Sequence, residues 1–445
     1  MQTTLFTLAL LAGGTSAPVD DEWPAWRGPD RNGVALSAAP TTWSESENVK
    51  WRVELPGLGI STPIVWGDRL YVTTAVDTGR VPEGAPEPEP EPEPAAEEGR
   101  RRRRREAPRT VFEFRVLCLD RSDGSVVWNT LAADGVPHEA GHSTNSQASA
   151  SPITDGEHFF AFFGSRGLHC LDMDGKVVWS KDFGEMQTRN QFGEGASPAL
   201  HGDTLVVVWD HEGDDFIVAL DKSTGEEKWR KVRDEPTSWV TPLIVPVGDR
   251  QQVIVPGTGA SRAYDLETGD VVWEIAGMTT NCVPTPIYEG GIVFLMSGFR
   301  GSALQAIALE GAKGALGDDD ENVLWTYGKN TPYVPSGVLV DGRLYFLRVN
   351  SGRVTCLDAA SGEELFAAEN LGGIRSVYGS LTAAGDHVYA TSREGETVVF
   401  QAGSEFVEVA SNVLDDAFDA SPVIVEGELF LRGRKALYCI AEGTD

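Results

Sequence analysis

Apolar and polar residues alternate along this chain in short runs, and the runs recur. "STPIVWGDRLYVTTA" from Ser61 is answered by "SPITDGEHFFAFFG" from Ser151 and "SPALHGDTLVVVWD" from Ser197. "TPLIVPVGDRQQVIVPG" from Thr241, "TPIYEGGIVFLMSG" from Thr285 and "SGVLVDGRLYFLRV" from Ser336 follow. "GSLTAAGDHVYATS" from Gly379 and "SPVIVEGELFLRG" from Ser421 bring the openings to eight. Alternation over a few residues predicts half-buried strands, and "WGD", "HGD" or "EGG" predicts a tight turn between each pair.

A second phrase follows each opening. It reads "VLCLDRSDGSVVW" at 116–128, "LHCLDMDGKVVW" at 168–179, "VALDKSTGEEKW" at 218–229 and "RAYDLETGDVVW" at 262–273. This is a third strand, a turn and a fourth strand. Asp120, Asp172, Asp221, Asp265 and Asp358 are expected to accept backbone N–H groups in the turn, and the following glycine to supply a positive φ. Four strands in a repeat of about 44 residues make a propeller blade. The aromatic residues near the end of the unit, Trp128, Trp179, Trp229, Trp273 and Trp325 with Phe366 and Phe406 in weaker copies, are expected to wedge between blades.

The eighth unit stops after its third strand, at "ALYCIAEGTD". The missing strand is found near the other terminus, in "NVKWRVELPG", with Trp51 in the aromatic position. Residues 48–55 are therefore expected to complete the last blade, which removes the exposed sheet edge. The predicted fold is all-β: an eight-bladed β-propeller over 48–445, closed by an N-terminal strand. An extension over 18–47 precedes it.

Composition narrows the function. The net charge of −30 excludes a nucleic-acid partner, whose phosphates need a basic face. No apolar run reaches the roughly 18 residues of a transmembrane helix. Leu5 to Leu11 and the small residues to Ala17 read as a signal peptide, so a periplasmic or secreted, monomeric propeller is expected. No cysteine lies near the start to carry a lipid anchor. Cys118, Cys170, Cys356 and Cys439 share one repeat slot, which Ala219 and Ala263 fill elsewhere, so cysteine acts there as a small apolar residue and no disulfide is expected. "HEAGH" at 138–142 matches the zinc-protease pattern, but Pro137 and Gly141 oppose the helix that this chemistry needs.

In an up-and-down blade, the loops after second and fourth strands share one rim, and here those loops are long and polar. Candidate binding residues on that rim are His142, Asn145, Asp210, Glu212, Arg233, Trp239, Asn281 and Arg300. Asp210, Glu212 and Asp214, with Asp215, are weak candidates for calcium. Residues 77–110 interrupt blade one on the same rim, passing from "PEPEPEPEP" to "RRRRRR"; neither half can bury a core, so a disordered insertion is expected, and its functional reading is a basic tether for an anionic surface or self-association with the acidic body.

The "LDxxTGxxxW" repeats resemble those of pyrroloquinoline quinone (PQQ) enzymes and of BamB, the propeller of outer-membrane β-barrel assembly. "WPAWRGPDRNGVA", "TNSQASASP", "WDHEGDDFIVALDKSTGEEKW" and "LRGRKALYCI" resemble exported PQQ-like propeller proteins of planctomycete bacteria. That resemblance implies eight blades and little about activity. PQQ dehydrogenases of this kind carry an adjacent cysteine pair and a calcium-bound Glu–Asn–Asp set; neither can be placed on this sequence. The function expected is therefore a non-catalytic, exported binding module for a protein or cell-envelope polymer, with no cofactor. The alternatives are a quinoprotein oxidoreductase using PQQ and calcium, and a hydrolase or lyase built around His142, Asp210 and Arg233.

Overall fold

Blade one of the computed structural model, which describes residues 22–84 and 106–443, runs through Ile64–Trp66, Arg69–Asp77, Phe112–Asp120 and Val126–Gly135. Seven more sheets of the same order follow around a ring. The leader expected over 1–17 and the Glu-Pro and Arg runs at the heart of the 77–110 insertion lie outside the described residues. The insertion leaves from a hairpin whose two strands are the longest inner pair of any blade, fastened beyond their ends by Thr78 N–H to the Val111 carbonyl (3.0 Å).

The eighth blade closes as the sequence predicts. Val423–Val425, Glu428–Arg432 and Ala436–Ile440 are completed by Val49–Glu54, in antiparallel register with Trp51 opposite Cys439. The small-residue slot is explained by that register. Cys118 faces Trp128, Cys170 faces Trp179, Ala219 faces Trp229, Ala263 faces Trp273 and Cys356 faces Phe366. A large ring on the fourth strand requires a small partner on the third. The cysteines are free and buried, and burial pushes the Cys118 thiol up to about 11 and those of Cys170 and Cys356 to about 12.

Each wedge docks on the next blade's turn. The indole N–H of Trp51 donates to the Arg121 carbonyl (2.9 Å), that of Trp179 to Lys222 (2.9 Å) and that of Trp229 to Leu266 (2.8 Å). The turn glycine therefore has two duties. Gly225 sits at φ +73°, and a Cβ built on it would lie 2.8 Å from the Trp179 ring. The turn aspartates behave as expected; Asp221 Oδ1, for example, accepts the N–H groups of Ser223 (2.9 Å) and Thr224 (3.1 Å).

Two wedges depart from the repeat. Blade five has a longer excursion in place of the "LDxxTG" turn, and its Gly314–Leu316 adds a parallel fifth strand beside Trp273 in blade four. Trp273 is fully buried and donates to Gln252 Oε1 (3.0 Å) within its own blade. In blade seven the register puts Ala410, not Phe406, at the wedge position, opposite Val399. Phe406 packs from the preceding loop against Phe400 and Phe366, toward blade six. The gap between blades seven and eight is filled from the extension. Trp43 is buried in the same cluster as Val399, Leu414, Phe430 and Tyr438, and Asn412 holds it by accepting the Trp43 N–H (2.8 Å) and donating to the Thr41 carbonyl (2.9 Å). The cause is the closure itself: blade eight takes its fourth strand from the other terminus, so it has no third-to-fourth turn for a wedge to dock on.

The Ser/Thr openings form a belt around the axis. Thr62 N–H donates to Ser151 Oγ (2.9 Å), Ser151 N–H to Ser197 Oγ (2.8 Å) and Ser197 N–H to Thr241 Oγ1 (3.1 Å). Thr285 Oγ1 donates back to the Thr241 carbonyl (2.8 Å), and Thr285 N–H passes on to Ser336 Oγ (3.0 Å). Ser336 N–H to Ser380 (2.9 Å), Ser380 N–H to Ser421 (3.0 Å) and Ser421 N–H to Thr62 (3.1 Å) complete the circle. Seven of the eight inner strands thus begin with the amide satisfied by the neighbouring blade, while at Thr241 the carbonyl is bonded instead.

The extension crosses beneath this belt on the short-turn face. Trp23 bridges to Val65, Ala25 to Ile153 and Val34 to Ala383. Between them Arg27 turns into the axis and donates to the carbonyls of Leu381 (2.6 Å), Asn32 (2.9 Å) and Gly337. It is fully buried with no carboxylate of the described residues paired with it, and burial pushes its guanidinium down to about 9.

Candidate functional site

The long-loop rim opens into a cup of about 300 Å³ on the axis. Its walls are largely aromatic. Phe192 and Trp239 come from the loops after the fourth strands of blades two and three, with ring centroids 6.2 Å apart. Phe299 and Tyr333 stack at 4.6 Å on the opposite side, and Tyr378 lies between them and blade eight. The floor is part of the hydroxyl belt: Thr62, Ser151, Ser197 and Ser421. Trp26 of the extension seals it, its indole N–H donating to Ser421 Oγ (3.2 Å). The same Trp26 borders a second space of about 550 Å³ on the short-turn face, so one side chain divides the axis in two.

Three predicted residues line the cup. His142 Nδ1 is 2.7 Å from Thr144 Oγ1, and its ring meets Phe192 edge-on at 5.3 Å. Asn145 donates to the carbonyls of Phe192 (3.0 Å) and Glu194 (3.1 Å), and its oxygen accepts from Ser146 N–H (2.9 Å) and the Ser149 hydroxyl. Trp239 donates to the Gly193 carbonyl (2.6 Å). Asn281 stands just behind the wall: it is buried, in the left-handed region at φ +61°, and Nδ2 lies 3.4 Å from the Tyr333 hydroxyl. Arg300 is exposed at the mouth, its guanidinium 5.2 Å from the Phe299 ring centre.

Asp210 and Arg233 are turned to each other rather than to a ligand. Their side chains have zero exposure and are joined by two hydrogen bonds of 2.7 and 3.2 Å. Ser238 donates to Asp210 (2.6 Å) and Arg233 to the Tyr264 hydroxyl (2.9 Å). The carboxylate holds the guanidinium firmly charged against the cost of burial. A buried pair broken on one side costs about 3–5 kcal/mol, so this pair fixes the rim's foundation. A void of about 30 Å³, room for about one water, lies beside Asp210. Exposed Glu212 is spent on Thr237, accepting from its hydroxyl (2.9 Å), and buried Asp215 accepts the Glu235 N–H (2.7 Å). Among the described residues, Asp210, Glu212 and Asp214 do not converge as metal ligands; the cluster that does is Asp155, Glu157 and His158 on the opposite face, where Lys222 already sits 2.6 Å from Asp155. The grouping of His142, Asp210 and Arg233 as one reactive site is therefore not what the fold builds.

The "HEAGH" segment is not helical. His138 Nε2 is 2.6 Å from the Met186 carbonyl, and Glu139 accepts from Thr188 N–H (2.8 Å) and its hydroxyl (2.5 Å). Sequence reading missed Trp26, Phe192, Phe299, Tyr333, Tyr378 and Asp419. Asp419 is a buried wall carboxylate with Arg393 Nε at 2.8 Å and Arg434 Nε at 2.7 Å; burial drives it upward while the two arginines oppose the shift. Each missed residue sits in a loop where no period operates.

Comparison with known proteins agrees with this architecture. A curated BamB from Francisella salina is 29% identical over 167 residues, which is 36% of this chain and 30% of that protein. BamB from Moraxella catarrhalis superposes with a TM-score of 0.53 at 14% identity, over 75% of this chain and 92% of that one. A europium-containing methanol dehydrogenase superposes with a TM-score of 0.62 at 11% identity, over 92% and 89%. At these identities the two solved structures share the fold alone. No helix among the described residues is long and apolar enough to cross a membrane. The family model described as outer membrane protein assembly factor BamB matches residues 113–368 and 285–444, so the chain belongs to that PQQ-repeat propeller family.

Proposed function

We propose that this chain is a non-catalytic, exported binding module that takes a protein or cell-envelope partner on its long-loop rim. The carrying observation is the cup. It exposes aromatic faces, while the polar side chains around it are spent within the protein: His142 on Thr144, Asn145 on four loop neighbours, Asp419 on two arginines. Such a surface recognises by shape and apolar contact with a few fixed donors, as binding sites do. Membership of a family described by an assembly factor supports the same reading.

The likeness to methanol dehydrogenase raises the quinone and calcium alternative. Calcium asks for six to eight oxygen ligands, several of them carboxylates. Among the described residues, the cup's lining holds one carboxylate, Asp419, and that one faces two guanidiniums. These residues do not fit the ion, and no redox step is derived from them.

The test is capture from envelope extract by the immobilised protein, beside an Arg300→Glu variant at the exposed mouth. A partner retained by the native rim and lost by the variant supports the reading. Appearance of a stoichiometric visible chromophore after mixing with PQQ and calcium, with dye reduction, overturns it.

A further inference from the structure

The floor of the cup is a row of hydroxyls that can both give and take. A hydroxyl offers one donor and two acceptor lone pairs. Thr62, Ser151 and Ser197 each accept one backbone N–H, from Ser421, Thr62 and Ser151 in turn, so each keeps a lone pair. Ser421 accepts two, from Ser380 N–H and from the Trp26 indole. Among the described residues, no protein acceptor takes any of these four hydroxyl protons at hydrogen-bond distance. The floor therefore presents four donors and three acceptor positions side by side. Charge on the lining is closed off. Among the described residues no lysine or arginine lines the cup, and its one carboxylate, Asp419, is held by Arg393 (2.8 Å) and Arg434 (2.7 Å) from behind the lining. The aromatic walls, by contrast, stay partly exposed: Phe192, Trp239, Phe299, Tyr333 and Tyr378.

A ligand for this cup must be uncharged, carry several groups that each donate and accept, and offer apolar faces to the rings. Trp26 closes the axis below, so a polymer cannot thread through and must enter by its end. A polypeptide end brings an ammonium or a carboxylate, and the lining has no unpaired counter-charge to meet either. An apolar side chain offered by a protein loop leaves the floor hydroxyls unanswered. A pyranose ring meets all three conditions. Its hydroxyls donate and accept, and its C–H bonds, with their partial positive charge, lie against the negative faces of aromatic rings. The volume of about 300 Å³ is at the small end of ligand pockets, which suits the last ring of a chain rather than a length of it. We infer that the cup binds the terminal sugar ring of a neutral glycan, its hydroxyls on the Ser/Thr floor and its C–H faces between Trp239 on one side and Phe299 and Tyr333 on the other. This rests on the long-loop rim being the partner-binding face, and it makes the envelope partner a polysaccharide.

The experiment is calorimetric titration of the full chain with linear neutral trisaccharides of glucose, mannose, galactose and N-acetylglucosamine. Beside them run trigalacturonate, which is charged, α-cyclodextrin, a ring of sugars with no end, and a short peptide ending in phenylalanine. At least one neutral trisaccharide is expected to bind with a sub-millimolar Kd, and trigalacturonate and α-cyclodextrin about tenfold more weakly or worse. Trp239→Ala should weaken that sugar about tenfold, and Phe299→Ala, at the mouth, should also weaken it. Ser197→Ala should weaken it about threefold to tenfold, and Ser197→Thr, which keeps the hydroxyl, should bind as the native protein does. No neutral trisaccharide binding at millimolar concentration overturns the inference. So does equal binding of the charged or endless probe, binding of the peptide in place of the sugars, or unchanged sugar binding by folded Trp239→Ala and Phe299→Ala. If the sugars fail while the native rim still captures an envelope partner that Arg300→Glu loses, only the choice of ligand falls; if the native rim captures nothing, the reading of the rim falls with it.

Discussion

Replacing Gly225 by alanine separates the two duties of the turn glycine. Its φ of +73° places any Cβ in a left-handed conformation, which costs about 1–2 kcal/mol for an L-residue. The added Cβ would also lie 2.8 Å from Cε3 and 2.9 Å from Cδ2 of Trp179, closer than carbon atoms approach, so the ring or the turn must move. Overpacking of this kind costs about 1–3 kcal/mol more. The matched control is Gly202→Ala. Gly202 lies in another turn of blade three at φ +55°, with nothing within 4 Å of a built Cβ, so it incurs only the conformational cost. Urea unfolding of both variants, with m unchanged, should place Gly225→Ala about 1–3 kcal/mol below Gly202→Ala. Adding Trp179→Phe, a smaller ring, should recover part of that difference as a coupling of at least about 0.5 kcal/mol. Equal costs at the two glycines, with no coupling to Trp179, would refute the wedge-on-turn account of how neighbouring blades are held.

Trp43→Ala should cost about 3–5 kcal/mol although Trp43 lies outside the repeats, because it fills the seam between blades seven and eight; a loss under about 1 kcal/mol in the same urea assay would show that the extension does not complete the ring. Arg233→Met should cost about 3–5 kcal/mol by stranding the Asp210 carboxylate, and a near-neutral result would mean that the pair does not support the rim. The five cysteines should resist a thiol reagent in the native protein and react fully in urea, since burial holds the thiols in their protonated form; fast native labelling would contradict their placement. Asp120 and Asp358 are held below the usual carboxylate range chiefly by the hydroxyls of Ser122 and Ser361. Their stabilisation is therefore complete above that range and lost as the pH falls through the lowered values, so Asp120→Asn with Asp358→Asn should flatten the acid limb of the stability curve, and an unchanged limb would count against the turn bonds.

The repeat was legible because blade construction is periodic. Alternation marks the strands, and the "LDxxTGxxxW" spacing marks the turn and the wedge. The incomplete last unit pointed to Val49–Glu54, and the Cys and Ala slot pointed to a size constraint that the register explains. Phe406 misled because an aromatic residue close to the expected spacing looks like a wedge, whereas the register puts Ala410 there and Trp43 arrives from hundreds of residues away in sequence. The Asp210–Arg233 pair was visible only as two charged loop residues, since nothing in the spacing says that they meet. The cup's aromatic walls were hidden for the same reason: Phe192, Phe299, Tyr333 and Tyr378 come from loops of blades two, five and six and converge only once the ring is closed.

Placing a photo-reactive residue at position 300 on the long-loop rim, and separately at 201 on the short-turn face, tests most directly whether the cup's mouth is the working surface. Irradiation of intact cells making the protein should give a discrete crosslinked partner from position 300 and none from 201. Crosslinks from 201 alone, or the same adducts from both faces, would contradict the assignment of the binding face.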